Sequence, residues 1–445
     1  MRRTPLEGWL SGKIFGSPRR VLTLEDIRRY QLEKVRETID YVSERSLFYR
    51  KRLAGLSGRD LRQLEDLSAF PFTTMEDLHE SGLQFLCVSQ SQVERVVTVQ
   101  FPERPEKTRR ISFTSDDLEL TIDFFHHAAA ILVNPGQSVL ILMPGDRPGS
   151  VGDLLATAFA RGRIRGLVHG IIRDPARTID EIADKKIDCV IGIPTQVLAL
   201  ARHESARRIP RGLIKSVLLS ADYVPSAIVN ELVRVWDCRV FNHYGTTEMG
   251  LGGGVECEAF AGYHLREADL LFEIVDPASG RPMPPGQSGE IVFTTLGRTA
   301  MPFLRYRTGD LSRFLPDPCP CGTVLRRVEK VRGKIRDMVL LRSGEWLGMA
   351  GLDEAVFGIP GIVNFVPSLI RAHKQDRLEV VIHPVSDPDH LGPEVILTAL
   401  ESVPAIARAV KGGHLILGPI RFSRESRITT GVGKRTIVQR NEQEQ

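Results

Sequence analysis

The stretch Cys238–Glu248, CRVFNHYGTTE, decides how this chain is read. Cys238–Asn242 is a short apolar run of strand type, and it leads straight into His243-Tyr244-Gly245-Thr246-Thr247-Glu248. In a parallel sheet, ligands lie just beyond the strand C-termini, which is where this loop falls. A tyrosine ring can stack on a purine, and the glycine allows close backbone approach. The threonine hydroxyls can bond phosphate oxygens, and the carboxylate can hold Mg²⁺. Taken alone, the same residues read equally well as a strand-end turn before a capped helix.

Upstream, strands and helices alternate. Gln137–Met143, Asp188–Ile193 and Lys215–Ser220 are continuous apolar strands. Helices are expected over Gly152–Ala160, Pro194–Ala201 and Ser226–Trp236. Uninterrupted apolar strands between helices indicate a mostly parallel sheet covered on both faces. Nearer the start, residues 22–56 carry helical periodicity, and Thr73 or Thr74 can cap a short helix from Met75.

Downstream the texture changes. Leu271–Val275, Gly289–Thr295 and Leu311–Leu315 read as antiparallel strands between Gly/Pro turns. Between them lies Arg305-Tyr306-Arg307-Thr308-Gly309-Asp310. An aspartate after a Thr-Gly turn can accept both hydroxyls of a ribose, and Arg305 or Arg307 can face a phosphate. Singly, this reads better as a hairpin turn with solvated arginines. Beyond residue 338, strands Met338–Leu341 and Leu378–His383 and a helix near Glu394–Glu401 make a third region. It ends in Thr430-Gly431-Val432-Gly433-Lys434-Arg435, a lysine bracketed by glycines. Such a lysine suits a mobile cation, or else a basic surface turn.

Composition sets limits. The chain has 445 residues, 59 Lys+Arg and 55 Asp+Glu, and a net charge of +4. Its length implies two or three domains. So small a charge over this length implies neither a nucleic-acid surface nor a polybasic membrane anchor. No apolar run approaches the roughly 20 residues of a membrane-spanning helix, and no secretory signal is visible, so a cytoplasmic location is expected. Six cysteines make no disulfide scaffold. Four soft donors do form a pattern, Cys257-x6-His264 followed by Cys319-x-Cys321. Three thiolates and an imidazole suit a closed tetrahedral Zn²⁺ site with no position left for catalysis. The alternative is four reduced residues in surface loops. Cys87, Cys189 and Cys238 sit in apolar contexts and are expected to be core thiols.

Together these stretches resemble the adenylate-forming (acyl-CoA synthetase-like) superfamily, and specifically its phenylacetate–CoA ligase branch. His243–Glu248 resembles the Tyr-Gly-x-Thr-Glu loop, Tyr306–Asp310 the Tyr-Arg-Thr-Gly-Asp ribose motif, and Gly333–Asp337 the Gly-Arg-x-x-Asp hinge, with Lys334 where the family has arginine. Gly433-Lys434 resembles the catalytic-lysine turn, Leu64–Leu78 the branch's N-terminal segment, and Cys-Pro-Cys-Gly the Zn-knuckle of some members. The resemblance implies an α/β fold. A large N-terminal domain, 1–336, would have mostly parallel sheets and a β-rich Zn subdomain at about 250–330. A small mobile α+β domain, 337–445, would turn about Asp337. It also implies ATP/AMP, Mg²⁺ and CoA as ligands, with a small carboxylic acid activated as acyl-AMP and passed to CoA. Asp310, Tyr244, Ser220-Ala221-Asp222, His243, Gly245, Thr246, Arg307 and Lys334 would surround the nucleotide. Thr247 and Glu248 would meet phosphate and Mg²⁺, and Lys434 the reacting carboxylate and phosphate. No nucleic-acid or membrane partner is implied, and a homodimer is left open.

One departure bears on the ATP step. The family's Gly-rich phosphate loop should precede Arg110-Ile111-Ser112-Phe113-Thr114. Here that place is held by Phe101-Pro102-Glu103-Arg104-Pro105-Glu106-Lys107-Thr108-Arg109. Each proline removes an amide donor, and Glu103 and Glu106 would repel a triphosphate. Arg104, Lys107, Arg109 and Arg110 offer scattered charge and no cradle. The alternative to a ligase is therefore a non-catalytic homologue that binds a nucleotide or acyl-CoA in a regulatory or accessory role.

Overall fold

The computed structural model describes residues 3–101, 104–385, 391–423 and 434–442. The chain packs as two compact units. One comprises Met1–Pro135, Asp146–Ile164 and His243–Val331; the other comprises Gly136–Gly145, Arg165–Asn242 and Arg332–Gln445.

The second unit holds the parallel sheet. Its strands run in the order Arg239–Tyr244, Ser216–Leu219, Cys189–Gly192, Ser138–Ile141 and Arg165–Val168, all paired in parallel. The three central strands are buried along their whole length, as continuous apolar runs require. Helices Pro175–Asp184 and Pro194–Arg202 start on a proline, which gives up a donor with no partner in the first turn. Helix Ser226–Trp236 has the bounds its periodicity predicts, with Trp236 fully enclosed. A mixed sheet follows, ordered Leu415–Phe422, Asp376–Pro384, Ile362–Arg371 and Val438–Asn441. Leu140, Val190 and Val217 share one apolar core with Phe365, Leu369 and Val380.

The first unit is helical and antiparallel. The helix expected over residues 22–56 is two helices, Leu24–Arg45 and Leu47–Arg52. Ser46 breaks the run because its hydroxyl accepts from the Tyr49 N–H and donates to the Gln84 carbonyl. Thr74 caps helix Met75–Ser81 in a capping box with Asp77. Strands Arg95–Phe101 and Arg104–Phe113 form an antiparallel hairpin whose register shifts between Gln100 and Phe101, so the described residues in place of a phosphate loop lie in strand. Its residues Pro102 and Glu103 lie outside the described residues. Helices Ser115–Ala129 and Val151–Arg161 follow.

Strands Leu270–Val275, Gly289–Thr295 and Tyr306–Ser312 form an antiparallel sheet in that order. The third strand is Tyr306–Ser312 and not Leu311–Leu315, so the Tyr306–Asp310 motif lies within a strand and is no hairpin turn. Tyr306, Thr308, Asp310 and Ser312 are buried in alternation, as period two demands. Gly309 adopts φ 74° where the register shifts, and the Glu290 carboxylate accepts its N–H at 2.8 Å.

Arg305 anchors this strand. It is 1% exposed, bonds the carbonyls of Ser68 and Phe70, and pairs with Glu273. Replacing Arg305 by Met strips the largely enclosed Glu273 carboxylate of its counter-charge. Stability should fall by about 3–5 kcal/mol, read from urea unfolding midpoints.

Candidate functional site

The loop after strand Arg239–Tyr244 is a tight elbow. Met249 and Leu251 N–H groups return to the Thr246 carbonyl, and the Gly250 N–H returns to Thr247. A Cβ at Gly245 would stand 2.7 Å from the Leu251 carbonyl oxygen and 2.9 Å from the Gly252 Cα. Both are backbone, so only glycine fits there.

Two tyrosines lock the elbow to strand Tyr306–Ser312 in opposite senses. The Tyr244 hydroxyl donates to Asp310 Oδ2 at 2.9 Å. The Tyr306 hydroxyl donates to Glu248 Oε1 at 3.3 Å. Burial, then the Asp310 charge, holds the Tyr244 phenol well above its ordinary pKa. Tyr244 also stacks on Tyr263, with ring centres 5.9 Å apart. Asp310 is wholly buried, and Thr308 Oγ1 accepts its N–H. The His243 ring is pushed down to about 4 by burial and then by Arg266. It meets the rings of Phe124 and Phe125 edgewise or tilted.

Glu248 is the residue expected to bind Mg²⁺, and its surroundings argue otherwise. Its Oε1 accepts Arg109 Nε at 2.7 Å, with the two side chains 4% and 8% exposed. Its backbone carbonyl accepts Arg298 Nη1 at 2.6 Å. Magnesium demands octahedral oxygen ligands and keeps several waters. A buried carboxylate already bonded to a guanidinium does not suit it. Arg109 and Arg298 are functional candidates that motif reading does not single out. Arg109 stands among four basic residues in its stretch, and only the fold shows which one turns inward: Arg110 is exposed.

Arg307 was expected on a phosphate. Its guanidinium instead pairs with Glu290 at 2.5 Å and bonds the Pro277 carbonyl at 2.6 Å. In the second unit, Ser220-Ala221-Asp222 follows strand Ser216–Leu219, with Ala221 at φ 76°. Asp222 accepts Arg435 Nε at 3.3 Å, and Arg435 also pairs with buried Asp353. Lys334 immediately precedes the short turn Ile335–Asp337, Asp337 is half-buried, and Lys434 is exposed. Thr430–Gly433 lie outside the described residues.

Cys257, His264, Cys319 and Cys321 converge in the first unit. Their donor atoms all lie within 4.8 Å of one another, and all four residues are buried. His264 Nε2 is 3.6 Å from Cys321 Sγ, and Cys257 Sγ is 3.6 Å from Cys319 Sγ. Burial, then Arg327, pushes His264 down to about 4, leaving a neutral imidazole lone pair. Burial pushes the Cys257 thiol up to about 12, a cost that a bound divalent cation reverses. The other thiols, Cys87, Cys189 and Cys238, are buried and also pushed up to about 12 by burial.

Residues 121–301 match the AMP-binding enzyme family. The phenylacetate–coenzyme A ligase of Thermus thermophilus is 30% identical over 388 residues, covering 84% of this chain and 85% of that protein. The corresponding Escherichia coli enzyme is 26% identical over 349 residues, covering 73% and 75%. Among solved structures, 2-hydroxyisobutyryl-CoA ligase in its postadenylation state superposes with a TM-score of 0.79 at 21% identity, over 95% of this chain and 91% of that one. The fold is therefore that of adenylate-forming enzymes. The chain belongs to the phenylacetate–coenzyme A ligase family.

Two outcomes follow from the site. Tyr244→Phe should cost about 1–3 kcal/mol of unfolding free energy, because it leaves the buried Asp310 short of a donor. His243 titrates near 4 when folded against 6.5 ordinarily, so the unfolded chain binds the extra proton. Stability should therefore fall as pH drops from about 6.5 towards about 4. His243→Asn should flatten part of that slope in unfolding curves taken across this window.

Proposed function

We propose that the protein is an AMP-forming acid–thiol ligase. It joins a small carboxylic acid to AMP and passes the acyl group to CoA. In the first step a carboxylate oxygen attacks the α-phosphorus of ATP, and pyrophosphate leaves with the bonding pair. In the second the CoA sulfur attacks the acyl carbon, the acyl–phosphate bond breaks, AMP leaves, and the thiol proton passes to water. The observation that carries this reading is the 2.9 Å bond between Tyr244 and Asp310, which brings the elbow and the ribose motif into one place. Family membership supports it, as do the ligands of the 2-hydroxyisobutyryl-CoA ligase structures, solved with acyl adenylates and, in one case, CoA in the thioesterification state.

Tyr244, Gly245, Thr246 and His243 would form the adenine side, with Ser220, Ala221 and Asp222 as the second loop. Asp310 would take the ribose, with Tyr244 giving up its bond to do so. Thr247 would meet the phosphate. Lys434, on a C-terminal domain that would turn about Asp337, would stabilise charge growing on the phosphate and carboxylate. Lys334 would contribute charge at the rim. The four-donor cluster would hold one structural Zn²⁺ that ties strand Tyr263–Leu265 to the Cys319–Cys321 turn. The hairpin in place of the phosphate loop favours a second reading, a non-catalytic nucleotide- or acyl-CoA-binding homologue.

Pyrophosphate release that depends on added acid, across aryl and aliphatic acids with CoA present, would support the ligase. Lys434→Ala should then lower the rate at least about a hundredfold, while a chain that binds AMP yet releases no pyrophosphate fits the second reading. Metal analysis of purified protein should give close to one zinc per chain. Cys319→Ser should lower both that content and the melting temperature.

A further inference from the structure

The arginine on Glu248 has a consequence for which nucleotide the site accepts. Arg109 sits on the returning strand of the hairpin, opposite Val99. Its Nε bonds Glu248 Oε1 at 2.7 Å, its Nη1 reaches the Gln100 carbonyl at 3.4 Å, and its guanidinium lies 5.4 Å from the Phe101 ring centre. Tyr306 donates to the same carboxylate oxygen. Arg298 holds the Glu248 carbonyl and the Ser112 carbonyl, at 2.6 and 3.2 Å. Its own guanidinium packs against the Phe113 and Phe303 rings. Hairpin, elbow and strand Tyr306–Ser312 thus converge on one carboxylate, all within the first unit.

A carboxylate at this depth needs a counter-charge. Arg109 and Tyr306 already hold Glu248 Oε1, so a divalent ion would take that oxygen only by displacing Arg109 and leaving a buried guanidinium without its partner. Unlike a hydrated ion, the guanidinium is a permanent single charge with donors fixed in a plane. One sequence change accounts for two features. The stretch that lacks a glycine cradle for the outer phosphates also delivers the arginine that satisfies Glu248.

We infer that Arg109 takes the place of the divalent cation on Glu248, so that the site accepts the nucleoside-monophosphate group of AMP or an acyl adenylate without magnesium. This rests on the nucleotide reading given above. Arg109 acts through Glu248 as a positioning residue. It cancels the carboxylate that would otherwise repel the single phosphate, and its charge is already matched, so it does little for a triphosphate. The adenylate then becomes the preferred ligand, and ATP gains nothing from the metal it carries.

The test is calorimetric titration of the full chain with AMP and with ATP. Each runs in buffer depleted of metal over a chelating resin and again with millimolar magnesium chloride. A soluble chelator is avoided because it would strip the cysteine cluster. The expected wild-type result is an AMP affinity that changes by no more than about twofold with magnesium, and an ATP affinity that magnesium does not raise. Arg109→Met should make AMP binding magnesium-dependent by about tenfold or more, because the freed carboxylate then needs a cation. Arg109→Lys keeps the charge and should restore independence from the metal. A wild-type affinity for either nucleotide that rises about tenfold with magnesium overturns the inference and leaves the nucleotide reading standing. A folded chain that binds AMP in neither buffer overturns both. The wild-type titrations decide the matter even if Arg109→Met does not fold.

Discussion

Everything at the candidate site depends on one constraint. Two buried carboxylates, Asp310 and Glu248, must each find donors inside the protein, and each takes one from the segment that carries the other. Tyr244 reaches from the elbow to the strand, and Tyr306 reaches from the strand to the elbow. An unpaired carboxylate at this depth costs several kcal/mol, so the elbow cannot drift from the strand without exposing or orphaning one of them. The glycine at 245 makes the close turn possible, and the bulge at Gly309 sets which strand residues face inward.

Arg109 belongs to the same balance. Burial works against its charge, and Glu248 and Tyr306 outweigh that penalty, so the guanidinium holds its proton more tightly than usual. Arg298 lacks a carboxylate bond of comparable geometry, and burial pushes it down to about 10. Two arginines close to one elbow thus meet opposite fates, decided by whether an anion lies within bonding distance. A hairpin in place of a glycine-rich loop alters the backbone shape beside the elbow and its charge together.

The cysteine cluster does for the Gly/Pro-rich segment what apolar packing does elsewhere. Strands Gly254–Glu256, Tyr263–Leu265 and Arg327–Val328 are two or three residues long. Ladders this short hold little by themselves. Four donors, drawn from the loop after Gly254–Glu256, strand Tyr263–Leu265 and the Cys319–Cys321 turn, are buried and within a few ångströms of each other, and give the segment a second means of closure.

The sequence by itself determined the parallel sheet, the helix from Ser226 to Trp236, the elbow and the four-donor cluster. These rest on local signals: continuous apolar runs, caps, a glycine in a strand-end turn, and ligand types at fixed spacing. It misplaced strand Tyr306–Ser312, because alternation of Thr, Asp and Ser looks like a turn until a neighbouring strand buries those side chains. It could not tell Arg109 from Arg110, since adjacent strand residues point to opposite faces and only the packed sheet says which face is inside. Nor could it send Arg307 to Glu290, a pairing between different strands. Side-chain charge partners are long-range facts: they follow from which segments meet, and that is decided when each core packs and not residue by residue along the chain.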